Sequence, residues 1–132
     1  MVTTDEKDIA RLLDPFMTHL GFEIEIPAPG QARVCGTVGP DHINNLGTAH
    51  GGYLYTLADS AFALASNSHG IPAVSLATHM DFLRPGLPGD RLEAIAFEEH
   101  LGYRTGVYRV EVRRGEELLA VFSGTVYRKQ PK

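Results

Sequence analysis

One stretch of this 132-residue chain reads as a long helix, and nearly everything after it reads as strand. From Gly51 to about Asn67, six residues (Leu54, Leu57, Ala58, Ala61, Leu64 and Ala65) fall within an arc of about 120° at 100° per residue. That stripe is wide enough to face a sheet, and its alanines permit close approach. Phe22 to Ile26 alternates strictly between apolar and polar residues, which predicts a half-buried strand, and Gln31 to Val38 predicts a second. Four more strand-like segments lie near 72–84, 90–100, 103–113 and 117–128, separated by the turn signals Pro-Gly-Leu-Pro-Gly-Asp, Leu-Gly and Arg-Gly-Glu. One long helix among about six strands, the last four joined by short turns, predicts an α+β architecture: an antiparallel sheet wrapped round a central helix.

The rest of the chain fits a single domain over residues 1–132, large enough to bury about two-thirds of its unfolded surface. Residues 5–13 read as a short helix, restarted at Asp14-Pro15, where Asp caps and Pro takes the first helical position. Residues 1–12 are thus expected to form an N-terminal helical extension. Residues 39–49 read as a polar loop. No segment approaches the roughly 20 apolar residues of a membrane span. The acidic N-terminus lacks the apolar core of a signal peptide. The single cysteine, Cys35, excludes an internal disulfide framework and fits a reducing cytoplasm. It lies in a strand-like run without a flanking histidine, as a small hydrophobe does. A net charge of −4 opposes a nucleic-acid partner, so an anionic ligand would need local arginines.

The chemistry concentrates in residues 50–59, His-Gly-Gly-Tyr-Leu-Tyr-Thr-Leu-Ala-Asp. Amides in the first turn of a helix have no intrahelical acceptor, and the helix dipole adds partial positive charge there. Gly51 therefore offers an anion-stabilising corner, and Asp59 a candidate base or nucleophile, two of the parts that acyl hydrolysis requires. Eight residues of helix separate them by roughly 12 Å, which an aspartate side chain cannot close. Asp59 lies off the apolar stripe, on a face with Tyr55, Thr56, Ala63 and Ser66 that carries no Lys, Arg or Glu. If both residues are functional, two such helices packed antiparallel about a two-fold axis would bring Gly51 of one toward Asp59 of the other. The geometry then predicts a dimer with two composite sites.

The segment Asn44-Asn-Leu-Gly-Thr-Ala-His-Gly-Gly-Tyr-Leu-Tyr-Thr-Leu-Ala-Asp-Ser-Ala-Phe-Ala-Leu-Ala-Ser66 resembles the signature of hotdog-fold acyl-CoA thioesterases. It is most similar to the phenylacetate-degradation, PaaI-like, group. The element order and Met80-Asp-Phe-Leu-Arg-Pro85 match as well, so the resemblance spans residues 13–128. It implies that Gly51 donates its amide to the thioester oxygen and that Asp59 activates water or attacks directly. His50 and Asn44 are then expected to shape the loop and orient the thioester or water. The resemblance further implies a homotetramer built as a dimer of dimers, with no metal or organic cofactor beyond the coenzyme A of the substrate. An aryl-acetyl or hydroxyphenylacetyl-CoA substrate is the corresponding expectation.

Gly52, Tyr53, Tyr55 and Phe62 are candidates for the substrate pocket, although aromatic residues on a helix are more often packing. Coenzyme A carries several phosphates, which makes Arg84, Arg104 and Lys129 candidates for their contacts. His42 and His50 lack a third ligand at metal-like spacing, so no metal is expected; His69, His79 and His100 read as structural. Two other functions compete. A hotdog dehydratase acting on 3-hydroxyacyl thioesters would use a His with a Glu or Asp near a Phe-Pro turn, and no such pairing stands in this sequence. A non-catalytic acyl-CoA sensor would ordinarily carry a DNA-binding segment, and the residues ahead of the domain are few and acidic.

Overall fold

A computed structural model describes residues 11–131. The expected N-terminal extension over residues 1–12 falls almost wholly outside the described residues. Helix α1 is Pro15–His19, with Asp14 as its cap: the Asp14 carboxylate accepts the Met17 amide at 2.8 Å. Strand β1 follows at Glu23–Glu25, shorter than the expected Phe22–Ile26, and β2 at Gln31–Thr37. Helix α2 runs from Gly51 to Asn67, and the remaining strands are β3 Ala73–Phe82, β4 Arg91–Leu101, β5 Thr105–Arg114 and β6 Glu117–Arg128. All pairings are antiparallel in one six-stranded sheet of order β1-β2-β4-β5-β6-β3. This is the expected α+β arrangement, a single sheet curled about one long helix.

The alternation along the strands explains how the helix fits. Ala32, Val34 and Gly36 of β2 face inward, as do Leu92, Ala94 and Ala96 of β4 and Tyr108, Val110 and Val112 of β5. Small residues on that face leave a trough for α2. At Gly124 of β6, a Cβ would stand 2.6 Å from the Phe62 ring, so only glycine lets this aromatic side chain seat against the sheet. The buried part of α2 is wider than the expected stripe. Tyr53, Ser60, Phe62 and Ser66 are buried along with the six predicted residues, because the sheet curls around the helix rather than passing beneath it. What stays open is a narrow strip containing Gly52, Thr56, Asp59, Ala63 and Asn67.

Strand β3 differs from its neighbours. It is an edge strand, nearly all of it is exposed, and it carries no lysine or proline. Leu76 is 60% exposed and Phe82 54%, with Val74 and Leu83 also open to solvent. A bulge between Ser75 and Ala77 leaves Leu76 without a partner on β6. A long apolar edge is a template for pairing with another chain.

Candidate active site

The loop before α2 is a clip built on Asn44. Its side-chain oxygen accepts the Leu46 and Thr48 amides at 2.9 and 3.1 Å, and its amide nitrogen donates to the Thr48 hydroxyl at 2.9 Å. Gly47, at φ 84°, closes the turn in a conformation that favours glycine. The clip ends in an Ile43–Ala49 bridge, and the His50 amide donates to the His42 carbonyl at 2.8 Å. His50 is thereby delivered as the cap of α2. Its extended backbone precedes the helix, and its Nδ1 accepts the Gly52 amide at 2.8 Å.

That cap assigns different roles to the two glycines. The Gly52 amide is consumed by His50, and a Cβ on Gly52 would lie 2.9 Å from that imidazole nitrogen. The Tyr53 and Leu54 amides donate to the His50 carbonyl at 2.9 and 3.2 Å. The Gly51 amide has no acceptor among the described residues. It is the one first-turn donor left available there. Gly51 lines a cleft of about 300 Å³ with Asn44, Thr48, Leu54, Phe82 and Arg84. An unused N–H at the positive end of a 17-residue helix, beside an apolar wall, suits a developing oxyanion.

Asp59 is half-buried on the open strip of the same helix, and no hydrogen-bond donor or cation meets its carboxylate among the described residues. Burial pushes its pKa above the ordinary value, and the negative charge of Asp14 adds to the rise. An unneutralised, partly desolvated carboxylate is a better base than a paired one. Within one protomer it stands roughly 12 Å along the helix axis from Gly51, and it does not line the Gly51 cleft.

The other candidates divide. Tyr53 lines a second cleft of about 200 Å³ with Phe16, His42, His50 and Thr56. Its ring stacks on His42, and its hydroxyl donates to the Thr37 carbonyl at 3.2 Å. Phe62 is 2% exposed and packs against Tyr108 and Phe122, so it belongs to the core rather than to a pocket wall. Arg84 borders the Gly51 cleft and pairs with Glu117 at 3.1 Å. Arg104 lies at the β4–β5 turn, by the far end of α2, where it donates to the Tyr127 hydroxyl at 3.2 Å. One protomer therefore cannot offer Arg84 and Arg104 to the same small group. His42 accepts the Gly39 amide, and the Cys35 thiol is pushed up by burial, away from reactivity.

Several contributors escaped the sequence reading. Thr48 fixes the Asn44 side chain, and Leu54, Phe82, Leu83 and Pro85 make the apolar wall. Tyr55, a pocket candidate in the sequence, lines neither cleft and instead ties α2 to the edge strand through a 2.8 Å hydroxyl contact with Thr78. At the far end of the helix, the Glu98 carboxylate accepts the Tyr108 hydroxyl at 2.7 Å and meets His69 at 2.6 Å. Nothing local in the sequence pairs residues 69, 98 and 108.

Comparison with known proteins finds relatives in sequence and in structure. The sequence model of the Thioesterase superfamily matches residues 46–121. Acyl-coenzyme A thioesterase PaaI of Escherichia coli K12 is 44% identical over 110 residues, 83% of this chain and 79% of that protein. Among solved structures, a mutant of the phenylacetic acid degradation protein PaaI from Thermus thermophilus superposes with a TM-score of 0.84 at 56% identity, covering 87% of this chain and 99% of its own. The smu.793 protein of Streptococcus mutans UA159, bound to acetyl-CoA, reaches 0.79 at 30% identity over 84% of this chain and 90% of its own.

Proposed function

We propose, for a chain that belongs to the thioesterase superfamily and has its hotdog fold, that it hydrolyses acyl-CoA thioesters at a site shared by two copies of itself. The observation that carries this reading is the pairing of an unused donor with an unpaired acid on one helix: the Gly51 amide and the Asp59 carboxylate. They are too far apart to act on one carbonyl from the same chain. A two-fold axis that sets two α2 helices antiparallel, with the open β3 edges together, brings each Gly51 toward the partner's Asp59. That packing also covers Val74, Leu76 and Phe82, which the isolated protomer leaves exposed.

Thioester hydrolysis then divides between the subunits. The thioester oxygen accepts the Gly51 amide, and the charge that develops on it as the tetrahedral intermediate forms is met by that donor and the helix dipole. One pre-aimed donor in a dry site is worth on the order of 3 kcal/mol. The partner's Asp59 takes a proton from water as it attacks the carbonyl carbon, a contribution of roughly 10²–10⁴-fold. Collapse of the intermediate expels the coenzyme A thiolate, which takes up a proton. The second N–H of the Asn44 amide meets no acceptor among the described residues and is available to orient the thioester or the water. His50 acts indirectly, by holding Gly52 and leaving Gly51 free.

The apolar wall of Leu54, Phe82, Leu83 and Pro85 favours a hydrophobic acyl group, with aryl-acetyl and hydroxylated aryl-acetyl thioesters the first to test. The experiment is a panel of acyl-CoA thioesters assayed for thiol release with a thiol-reactive dye. Turnover of at least one class supports the reading. Tight binding with no thiol release over hours, or hydration of an enoyl-CoA instead, overturns it.

A further inference from the structure

Two histidines beside the start of α2 are held in the same way. The Nδ1 of His42 accepts the Gly39 amide at 2.8 Å, and the Nδ1 of His50 accepts the Gly52 amide at 2.8 Å. A ring nitrogen that accepts an N–H carries no proton of its own, so each imidazole presents its N–H at Nε2. Neither Nε2 meets an acceptor among the described residues. The main chain joins the pair, since the His50 amide donates to the His42 carbonyl at 2.8 Å.

Both rings line the cleft of about 200 Å³ against α1. The adjacent Asp41 carboxylate lines it too, and it meets no donor or cation among the described residues. The rest of the wall is apolar: Phe16, 57% exposed, Leu20, and the Tyr53 ring, on which His42 stacks with centroids 4.5 Å apart. This cleft shares no lining residue with the Gly51 cleft; Phe16 of α1 walls one and Phe82 of β3 the other. Unmatched polar groups converging beside an apolar wall mark a small-molecule site. Thioester hydrolysis as derived above uses neither Asp41, His42 nor Phe16.

We propose that this second cleft binds a phenol, a single aromatic ring bearing a hydroxyl. A hydroxyl meets both kinds of unmatched polar atom: its oxygen accepts an imidazole N–H, and its O–H donates to Asp41. A carboxylate would suit the imidazoles but face the charge of Asp41, and an ammonium would do the reverse. A phenol is more acidic than an alcohol, so its bond to a carboxylate is the stronger. Its ring rests against Phe16 and Tyr53, where aromatic contact is favourable. The size agrees, since a cavity of about 150 Å³ holds benzene. His50 is also the cap of α2, so the bound phenol touches the residue that occupies Gly52 and leaves Gly51 free.

The probe is 4-methylphenol, titrated into the full chain by calorimetry and by NMR of the histidine ring protons. Binding is saturable, and the His42 and His50 signals shift together. 4-Methylanisole, whose oxygen carries no proton, binds at least tenfold more weakly. Asp41→Asn weakens 4-methylphenol at least fivefold and admits 4-methylbenzoate, which the parent protein excludes, while kcat/KM for thiol release stays within twofold. Equal affinity for the phenol and its methyl ether, equal affinity of parent and variant, or no saturable binding overturns the proposal. Competition with acyl-CoA that leaves the His42 signals unmoved also overturns it, because the ring then sits in the Gly51 cleft.

Discussion

Replacing Gly51 with proline removes one hydrogen-bond donor at a position built to tolerate the change. Residue 51 is the first of the helix, where proline is favoured, since that amide has no helical acceptor to lose. His50 already has the extended backbone (φ −62°, ψ 135°) that a residue preceding proline prefers. Gly51 is not at positive φ, and a Cβ there meets only the Phe82 ring at an ordinary 3.7 Å. Folding stability should therefore stay within about 1 kcal/mol of the parent protein. Catalysis should not. Losing one oxyanion donor costs roughly 10²–10³-fold in kcat. The assay is steady-state thiol release, with circular dichroism and thermal melting as folding controls. Gly52→Ala is the informative contrast, because its Cβ would strike the His50 ring and disturb the cap, an effect of about 1 kcal/mol on stability. A Gly51→Pro protein that melts normally and retains kcat within threefold would refute the assignment of this amide to the oxyanion.

Asp59→Asn should lower kcat at least a hundredfold and, at pH 7, raise the melting temperature. An acid whose folded pKa lies above its unfolded value loses folded-state stability as pH rises through that interval, so the gain should vanish below the ordinary 3.8. For the same reason the acid limb of kcat/KM in the parent protein should lie above that value, and a pH–rate profile measures it. Phe62→Ala should destabilise by about 3–5 kcal/mol and Gly124→Ala by about 1–3 kcal/mol in chemical denaturation. A changed acyl preference in a stably folded Phe62 variant would contradict its place in the core. Placing lysines at Val74 and Leu76 should yield a folded species of no more than half the native mass by light scattering, with thiol release reduced at least a hundredfold. An active monomer would remove the need for a second subunit.

The elements were legible where periodicity carries the information. The bounds of α2 follow from its helical spacing and from the glycine pair at its start, and β2 to β6 follow from strand-like runs separated by glycine turns. The extent of burial on α2 was less legible. Ser60, Phe62 and Ser66 are buried because Gly124 and the alanines of β4 let the sheet curl about the helix, a property of residues far away in sequence. The division of labour between Gly51 and Gly52 depends on a His50 side chain folding back two residues, which composition does not reveal. Arg84 and Arg104 looked equivalent as charges, yet one is paired at the start of α2 and the other meets no carboxylate among the described residues by its end. The cluster of Glu98, His69 and Tyr108 joins three elements through the sheet register, and no local pattern announces it.

Subunit complementation tests the shared site most directly. Gly51→Pro and Asp59→Asn proteins, each nearly inactive, are unfolded together and refolded at equal concentration. Random pairing makes half the dimers mixed, and each mixed dimer holds one intact site and one doubly altered site, so about a quarter of parental activity should return. If donor and acid belonged to the same chain, every site in the mixture would carry a defect and activity would stay at the level of the separate variants.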